Sequence, residues 1–152
     1  MIRISIYGIY DKRNAGALIF TGTGRNHHSS RKQGKKKGKI WKYIQQIKEK
    51  GIRAGIAISP ESEWEEIKPY LDEAEEILVM STVPGREGSV FIESTYEKIR
   101  CIKHLITEQK RNTMLSVDGG LNLERALDCI RNGADRIIMG RAFLVVTRRK
   151  SL

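Results

Sequence analysis

An aspartate followed by two glycines ends an apolar run in the stretch "LSVDGGLN", residues 115–122. If the run is a strand, the carboxylate of Asp118 lies at the rim of a sheet, where it can accept or donate a proton. Gly119 and Gly120 carry no side chains, so a ligand could approach their backbone N–H groups closely. Asp-Gly and Gly-Gly are also frequent turn dipeptides, and a plain turn is the alternative interpretation of this stretch.

Glycines also follow two other apolar runs of the chain. The loop "VPGREGSV" comes after "EILVMST", and Gly140 and Arg141 come after "DRIIM". In parallel α/β proteins ligands gather where strands end, and glycine N–H groups near a helix N-terminus favour anions. We therefore predict that the three glycine-bearing loops converge around one phosphate group.

Strand-like and helix-like segments alternate from residue 40 onward, and they must position these loops. Apolar runs predict strands at residues 52–59, 76–82, 113–118 and 135–140. Helical spacing of Ile40, Tyr43, Ile44 and Ile47 predicts a helix before the first of these strands, with these residues as its core stripe. Capping residues predict three more helices, with capping boxes at Ser62/Glu65 and Ser94/Glu97 and an N-cap at Asn122. This order predicts a parallel sheet with helical crossovers.

Length and composition bound the class of protein. With 152 residues the chain is about one domain long. It contains no apolar run of membrane-spanning length and no apolar core of a secretory signal near its start, so we expect a cytoplasmic protein with no membrane partner. Cys101 and Cys129 are not in metal-ligand spacing, and we expect both to be reduced.

The net charge of +10 is concentrated in the N-terminal third, where residues 1–50 hold 13 Lys and Arg against two acids. We divide the chain into a basic, irregular segment at residues 1–39 and a domain at residues 40–152. "IRISIY" and "GALIFT" could each form a strand within that segment. Its densest run, residues 25–39, is typical of a solvated loop, and nonspecific nucleic-acid binding is the alternative.

Four motifs resemble the second half of the ribulose-phosphate 3-epimerase family. They are "GIRAGIAISP", "ILVMSTVPGREGSVFIESTYEKI", "LSVDGGLN" and "NGADRIIMGRAF", which occur in the family's order and spacing from about residue 40 to residue 144. The resemblance implies an α/β fold, namely a partial (β/α)8 TIM-type barrel that retains parallel strands 4 to 8, with the first strands missing or degenerate.

The resemblance also implies an activity, the interconversion of D-ribulose 5-phosphate and D-xylulose 5-phosphate in pentose phosphate metabolism. Asp118 matches a family aspartate that is both a proton-transferring residue and a ligand of a divalent metal (Zn, Fe or Mn). The positions that match the family's substrate phosphate-binding turns are Gly85, Arg86, Glu87, Gly88, Gly119, Gly120, Gly140 and Arg141.

Several features depart from the family pattern. In the family, a second aspartate also transfers a proton at C3, and two histidines bind the metal, but none of these residues has a counterpart in this sequence. His27 and His28 lie in the basic segment, and His104 lies within a predicted helix. The loop reads "PGREGS" where the family usually has "PGFGGQ". A sheet of five or six strands cannot close an eight-strand barrel, so we expect either a pairing of partial barrels or a shortened gene product.

Three functions are consistent with these observations. The first is the sugar-phosphate epimerase. The second is a catalytically inactive half-barrel that binds phosphate, or that dimerises with itself or with a full-length relative. The third, nucleic-acid binding through residues 25–50, ranks last, because its aromatic residues Trp41 and Tyr43 fit helix packing better than base stacking.

Overall fold

The computed structural model describes residues 6–7, 16–21, 39–83 and 90–139. These residues form six strands, three α-helices and one 3-10 helix. In chain order they are β1 (Ile6–Tyr7), β2 (Gly16–Thr21), α1 (Lys39–Glu49), β3 (Arg53–Ile58), the 3-10 helix Trp64–Tyr70, β4 (Glu76–Met80), α2 (Thr95–Glu108), β5 (Met114–Asp118), α3 (Leu123–Arg131) and β6 (Arg136–Ile138).

The six strands form one sheet in the order β1-β2-β3-β4-β5-β6. Strands β2 to β6 are parallel to one another, as the alternation of elements predicts, and β1 is antiparallel to β2. The α/β class and the parallel sheet are therefore confirmed. The strand predicted at "GALIFT" is confirmed as β2, and two residues that include the end of the run "IRISIY" form β1. The division of the chain near residue 40 stays a prediction.

The helices pack on one face of the sheet. Alternate residues of a strand face opposite sides, and Ile56, Val79 and Val117 point to the face that the helices cover. On that face they join Ile44 of α1 and Ile102 of α2, all of them fully buried. Each such side chain stabilises the fold by about 1.5–3 kcal/mol relative to an exposed one.

The opposite face of the sheet carries a smaller apolar cluster and a polar network. Ala57 and Leu78 are buried there, with Met80 and Ile138 packed against them. Nearer the amino-terminal ends of β4 and β6, the hydroxyl of Ser116 donates a hydrogen bond to the carboxylate of Glu76 at 2.6 Å, and Glu76 also forms an ion pair with Arg136. This face also carries Asp118, as the alternation along β5 requires.

Two predicted details of the helices on either side of β3 were wrong. Tyr43, assigned to the core stripe of α1, is exposed, whereas Ile40 and Ile44 are buried. The capping box predicted for the helix after β3 is shifted by one residue, because Glu63 donates its N–H to the carboxylate of Glu66 at 3.3 Å. Ser62 instead places its hydroxyl 3.0 Å from that of Ser59.

The N-cap predicted at Asn122 is confirmed. Asn122 caps α3 by accepting the N–H of Arg125 at 2.8 Å, and Gly133 follows that helix with a φ of +112°. The capping box predicted at Ser94/Glu97 was wrong, because Ser94 precedes α2 but makes no side-chain capping hydrogen bond. Within the described ranges, none of the helices has the length and apolarity to span a bilayer.

Candidate active site at the carboxyl end of the sheet

Asp118 is the last residue of β5 and lies between two other strand ends. Its Cα pairs with Met80 of β4 on one side and with Ile138 of β6 on the other. The sheet thus brings three neighbouring strand ends to one edge, as the sequence predicts. The side chain is half-buried, on the face opposite the helices.

The surroundings of Asp118 shift the pKa of its carboxyl group. Burial raises the pKa of its carboxyl group, and a hydrogen bond from the backbone N–H of Gly119 opposes that effect more weakly. The group therefore keeps its proton to a higher pH than an exposed aspartate does. A carboxyl whose pKa lies closer to neutral is a better general acid and base at physiological pH.

The turn after Asp118 needs glycine for two separate reasons. Gly119 has a φ of +114° and Gly120 a φ of +58°, both in the left-handed region that side chains disfavour. A Cβ on Gly119 would also lie 2.5 Å from the hydroxyl oxygen of Thr82. Gly120 is exposed, so its backbone can be reached by a ligand.

The turn leads directly into the N-terminus of α3. Asn122 caps that helix, and the first-turn N–H groups carry the positive end of the helix dipole. Arg125 in the same turn donates from Nη1 to the carbonyl of Gly120 at 3.2 Å, and its guanidinium lies 5.2 Å from the ring centroid of Phe91. A positive charge is thereby held beside the glycine turn.

Sequence reasoning missed two residues that contact this turn, Arg125 and Ser81. Ser81 follows β4, and its backbone N–H donates to the carbonyl of Asp118 at 2.8 Å. A serine inside a continuous apolar run carries no periodic signal. Arg125 could have been noticed, because a cation in the first turn of a helix is unfavourable for the dipole unless something else holds it there.

The other predicted phosphate contacts, Gly85, Arg86, Glu87, Gly88, Gly140 and Arg141, lie outside the described residues. The flanks of the first loop are described: Ile92, after it, donates its N–H to the carbonyl of Ser81, before it, at 2.9 Å. The loop after β4 therefore starts and returns beside the glycine turn. Convergence of the three loops around one phosphate stays a prediction.

The described residues do not form a metal centre. Among them, no three His, Cys, Asp or Glu side chains are grouped so that they could hold a metal ion. Asp118 alone would be a single oxygen ligand. His104 is exposed on α2, with Nδ1 3.8 Å from a carboxylate oxygen of Glu108, and His27 and His28 lie outside the described residues.

Comparison with known proteins identifies the family of this chain. The sequence profile of the ribulose-phosphate 3-epimerase family matches residues 33–144, which is most of the chain. The chain belongs to the ribulose-phosphate 3-epimerase family. The resemblance stated from the motifs is confirmed.

Individual members of the ribulose-phosphate 3-epimerase family agree with this assignment. The ribulose-phosphate 3-epimerase of Bacillus subtilis is 35% identical over 108 residues, covering 70% of this chain and 50% of that protein. That of Buchnera aphidicola is 38% identical over 103 residues, covering 68% and 45%. The chloroplastic ribulose-5-phosphate-3-epimerase of Arabidopsis thaliana is 34% identical, covering 65% and 35%. The chain spans about half the length, or less, of these curated relatives.

Proposed function

We propose that this chain acts on D-ribulose 5-phosphate at C3, with Asp118 as the proton-transferring residue of a 3-epimerase reaction. The observation that carries the proposal is the position of Asp118: a half-buried carboxyl with a raised pKa, at a strand end, next to a glycine turn and a helix N-terminus. Membership in the ribulose-phosphate 3-epimerase family supports the choice of substrate.

Epimerisation at C3 requires a base that removes the C3 proton, which is acidic because C3 is bonded to the C2 carbonyl. The carboxylate of Asp118 removes the C3 proton, and the electron pair moves into an enediolate whose oxygens carry the charge. Return of the proton to the same face regenerates ribulose 5-phosphate. Delivery of a proton to the opposite face gives xylulose 5-phosphate, and this step requires a second acid that approaches C3 from that face.

Substrate binding would be provided by the backbone of the turn. The Gly119–Gly120 turn through the N–H of Gly120, the first turn of α3 and the guanidinium of Arg125 all favour a phosphate dianion. We propose that the loop residues Gly85, Arg86, Glu87, Gly88, Gly140 and Arg141 complete this phosphate site. Strands β2 to β6 would then correspond to strands 4 to 8 of a (β/α)8 barrel.

A divalent metal (Zn, Fe or Mn) is implied by the family resemblance, and it would stabilise charge on the substrate oxygens. Asp118 would be one of its ligands. Because no three His, Cys, Asp or Glu side chains of the described residues are grouped there, they do not fit a complete metal site, and we assign no step to a metal.

The test is a coupled assay that converts ribulose 5-phosphate to xylulose 5-phosphate with the purified chain. Asp118→Asn keeps the shape of the side chain but removes the ionisable group, so we expect the rate to fall by at least about 100-fold. Asp72→Asn is the matched control, because Asp72 is an exposed carboxylate that pairs with Arg111. Equal rates for the wild-type chain and Asp118→Asn would refute the role of Asp118.

A second readout separates proton removal from inversion. In D₂O, a chain with Asp118 as its only acid/base residue at C3 would place deuterium at C3 of ribulose 5-phosphate without forming xylulose 5-phosphate, which proton NMR detects. Formation of xylulose 5-phosphate together with the exchange would indicate a second acid. Absence of both would leave no catalytic role for Asp118.

The second candidate is a half-barrel that binds sugar phosphate without turnover, alone or paired with a second copy or a full-length relative. The observation that favours it is that the described residues group no three His, Cys, Asp or Glu side chains that could hold a metal beside Asp118. Binding of ribulose 5-phosphate without exchange at C3 would support this function, and light scattering would report the pairing.

A further inference from the structure

Ser81 is fully buried directly after β4, and it contacts the glycine turn through several groups. Its hydroxyl lies 2.9 Å from the carbonyl oxygen of Asp118 and closer still to the carbonyl oxygen of Gly119. The hydroxyl has one proton, which these two acceptors share. Its backbone N–H and C=O are bonded to Asp118 and Ile92. Ser81 thus joins the turn to the returning end of the loop after β4.

The hydrogen bond to the carbonyl of a peptide group also sets the direction of the N–H on the other side of the same peptide plane. A trans peptide is planar, and its C=O and N–H point in opposite directions. Because the carbonyl of Gly119 is held toward Ser81, the N–H of Gly120 is directed away from Ser81. Gly120 is exposed, so we infer that this N–H is accessible to a ligand.

Without the hydroxyl, the turn would have little to hold that direction. Gly119 and Gly120 both adopt positive φ, and the peptide group between two glycines can rotate with little steric hindrance. Thr82 limits the space beside the Cα of Gly119. In the described part of the chain, the hydroxyl of Ser81 is the side-chain group that donates a hydrogen bond to the carbonyl of Gly119.

We propose that Ser81 is a positioning residue, whose hydroxyl orients the Gly119–Gly120 peptide so that the Gly120 N–H meets the phosphate of the substrate. The second half of this inference rests on the proposed function, since it uses the phosphate site at the turn. The first half, the orientation of the peptide, is independent of it.

The variants are Ser81→Ala, which removes the hydroxyl, and Ser81→Thr, which keeps it. Thr113→Val is the matched control, because Thr113 is also buried and its hydroxyl donates to a backbone carbonyl, that of Ala74, at 3.1 Å. Thr113 directly precedes β5, so it lies at the amino-terminal ends of the strands, away from the glycine turn that follows Asp118. Each of the two hydroxyl-deleting variants removes one buried hydroxyl–carbonyl hydrogen bond.

The first measurement is the amide signal of Gly120 in proton–nitrogen correlation spectra, followed by titration with inorganic phosphate and with ribulose 5-phosphate. We expect Ser81→Ala to move or broaden this signal and to weaken phosphate binding by roughly threefold to tenfold, the worth of one hydrogen bond. KM should rise by a similar factor with a smaller change in kcat. Ser81→Thr should restore binding, and Thr113→Val should match the wild-type chain.

The outcomes separate this inference from the proposed function. An unchanged Gly120 signal and unchanged phosphate affinity in a folded Ser81→Ala variant would overturn the role of Ser81. A wild-type chain that binds no phosphate would overturn the phosphate site, whereas the Gly120 signal would still report whether Ser81 orients the peptide. An equal loss in Thr113→Val would indicate a general effect of removing a buried hydroxyl, and would also overturn the inference.

Discussion

Gly119 and Gly51 both adopt positive φ, +114° and +69°, but their surroundings differ. A Cβ at Gly119 would contact Thr82 at 2.5 Å, whereas a Cβ at Gly51 would meet nothing within 4 Å. We expect Gly51→Ala to lower the free energy of unfolding by about 1 kcal/mol, from backbone strain alone. Gly119→Ala should lower it by roughly 2–4 kcal/mol, because the steric clash adds to the strain. Urea unfolding measures both values, and equal losses would contradict the clash.

The sequence predicts some residues of the site better than others. Asp118 could be predicted because a carboxylate at the end of an apolar run, followed by two glycines, is a local signal. Ser81 could not, because its contacts are with residues 37 and 38 positions away in the chain. A hydroxyl inside a strand-like run acquires a role only when the neighbouring strand is in place.

At the scale of elements, the apolar runs and caps predict most strands and helices, and the errors arise where tertiary contacts compete. Ser62 and Glu63 each begin a polar-x-x-Glu pattern, so spacing alone cannot choose between them. Ser62 is buried, with its carbonyl bonded to Lys98, and Glu63 therefore becomes the N-cap. The antiparallel direction of β1 has no local signature either.

Lys98 of α2 connects that helix to the segment after β3. Its Nζ donates to the carbonyls of Ser59 and Pro60 at 2.9 Å and to that of Ser62 at 2.6 Å. Burial lowers the pKa of Lys98, and the carboxylates of Glu63 and Glu66 oppose this effect. The three carbonyls compensate for the desolvation of the ammonium group.

We expect Lys98→Met to lower the free energy of unfolding by about 1–3 kcal/mol, because three carbonyls lose a donor. Lys103→Met on the same helix is the control. Lys103 forms a half-exposed ion pair with Asp135, and such pairs contribute at most about 1 kcal/mol. Thermal or urea unfolding compares the two variants. A Lys103→Met variant at least as destabilised as Lys98→Met would show that the three carbonyls do not depend on Lys98.

At the scale of the whole molecule, the sheet depends on a strand from the basic N-terminal third. Residues Gly16–Thr21 pair with all six residues of β3, whose side chains are mostly buried. The apolar run "GALIFT" predicts this strand, but the charge of the segment around it gives no sign of its pairing partner. Local patterns report composition, whereas strand pairing depends on residues far apart in sequence.

Proline in β2 tests this pairing. Ile19→Pro removes the N–H of a residue paired on both sides, with Ile6 and with Ile56, so we expect a loss of roughly 1–3 kcal/mol and faster exchange of the β3 amides. Ile19→Val keeps the backbone N–H and should leave amide exchange unchanged. Hydrogen-exchange mass spectrometry measures both. Unaltered protection of residues 53–58 in Ile19→Pro would show that β2 does not stabilise β3.

The direction of β1 has a geometric consequence for ring closure. In a parallel eight-stranded barrel every strand has a parallel neighbour along each of its edges. The outer edge of β2 is already taken by Ile6–Tyr7, which runs the opposite way and is joined through only two residue pairs. A further parallel strand, from this chain or from another, could pair with that edge of β2 only by displacing this two-residue ladder.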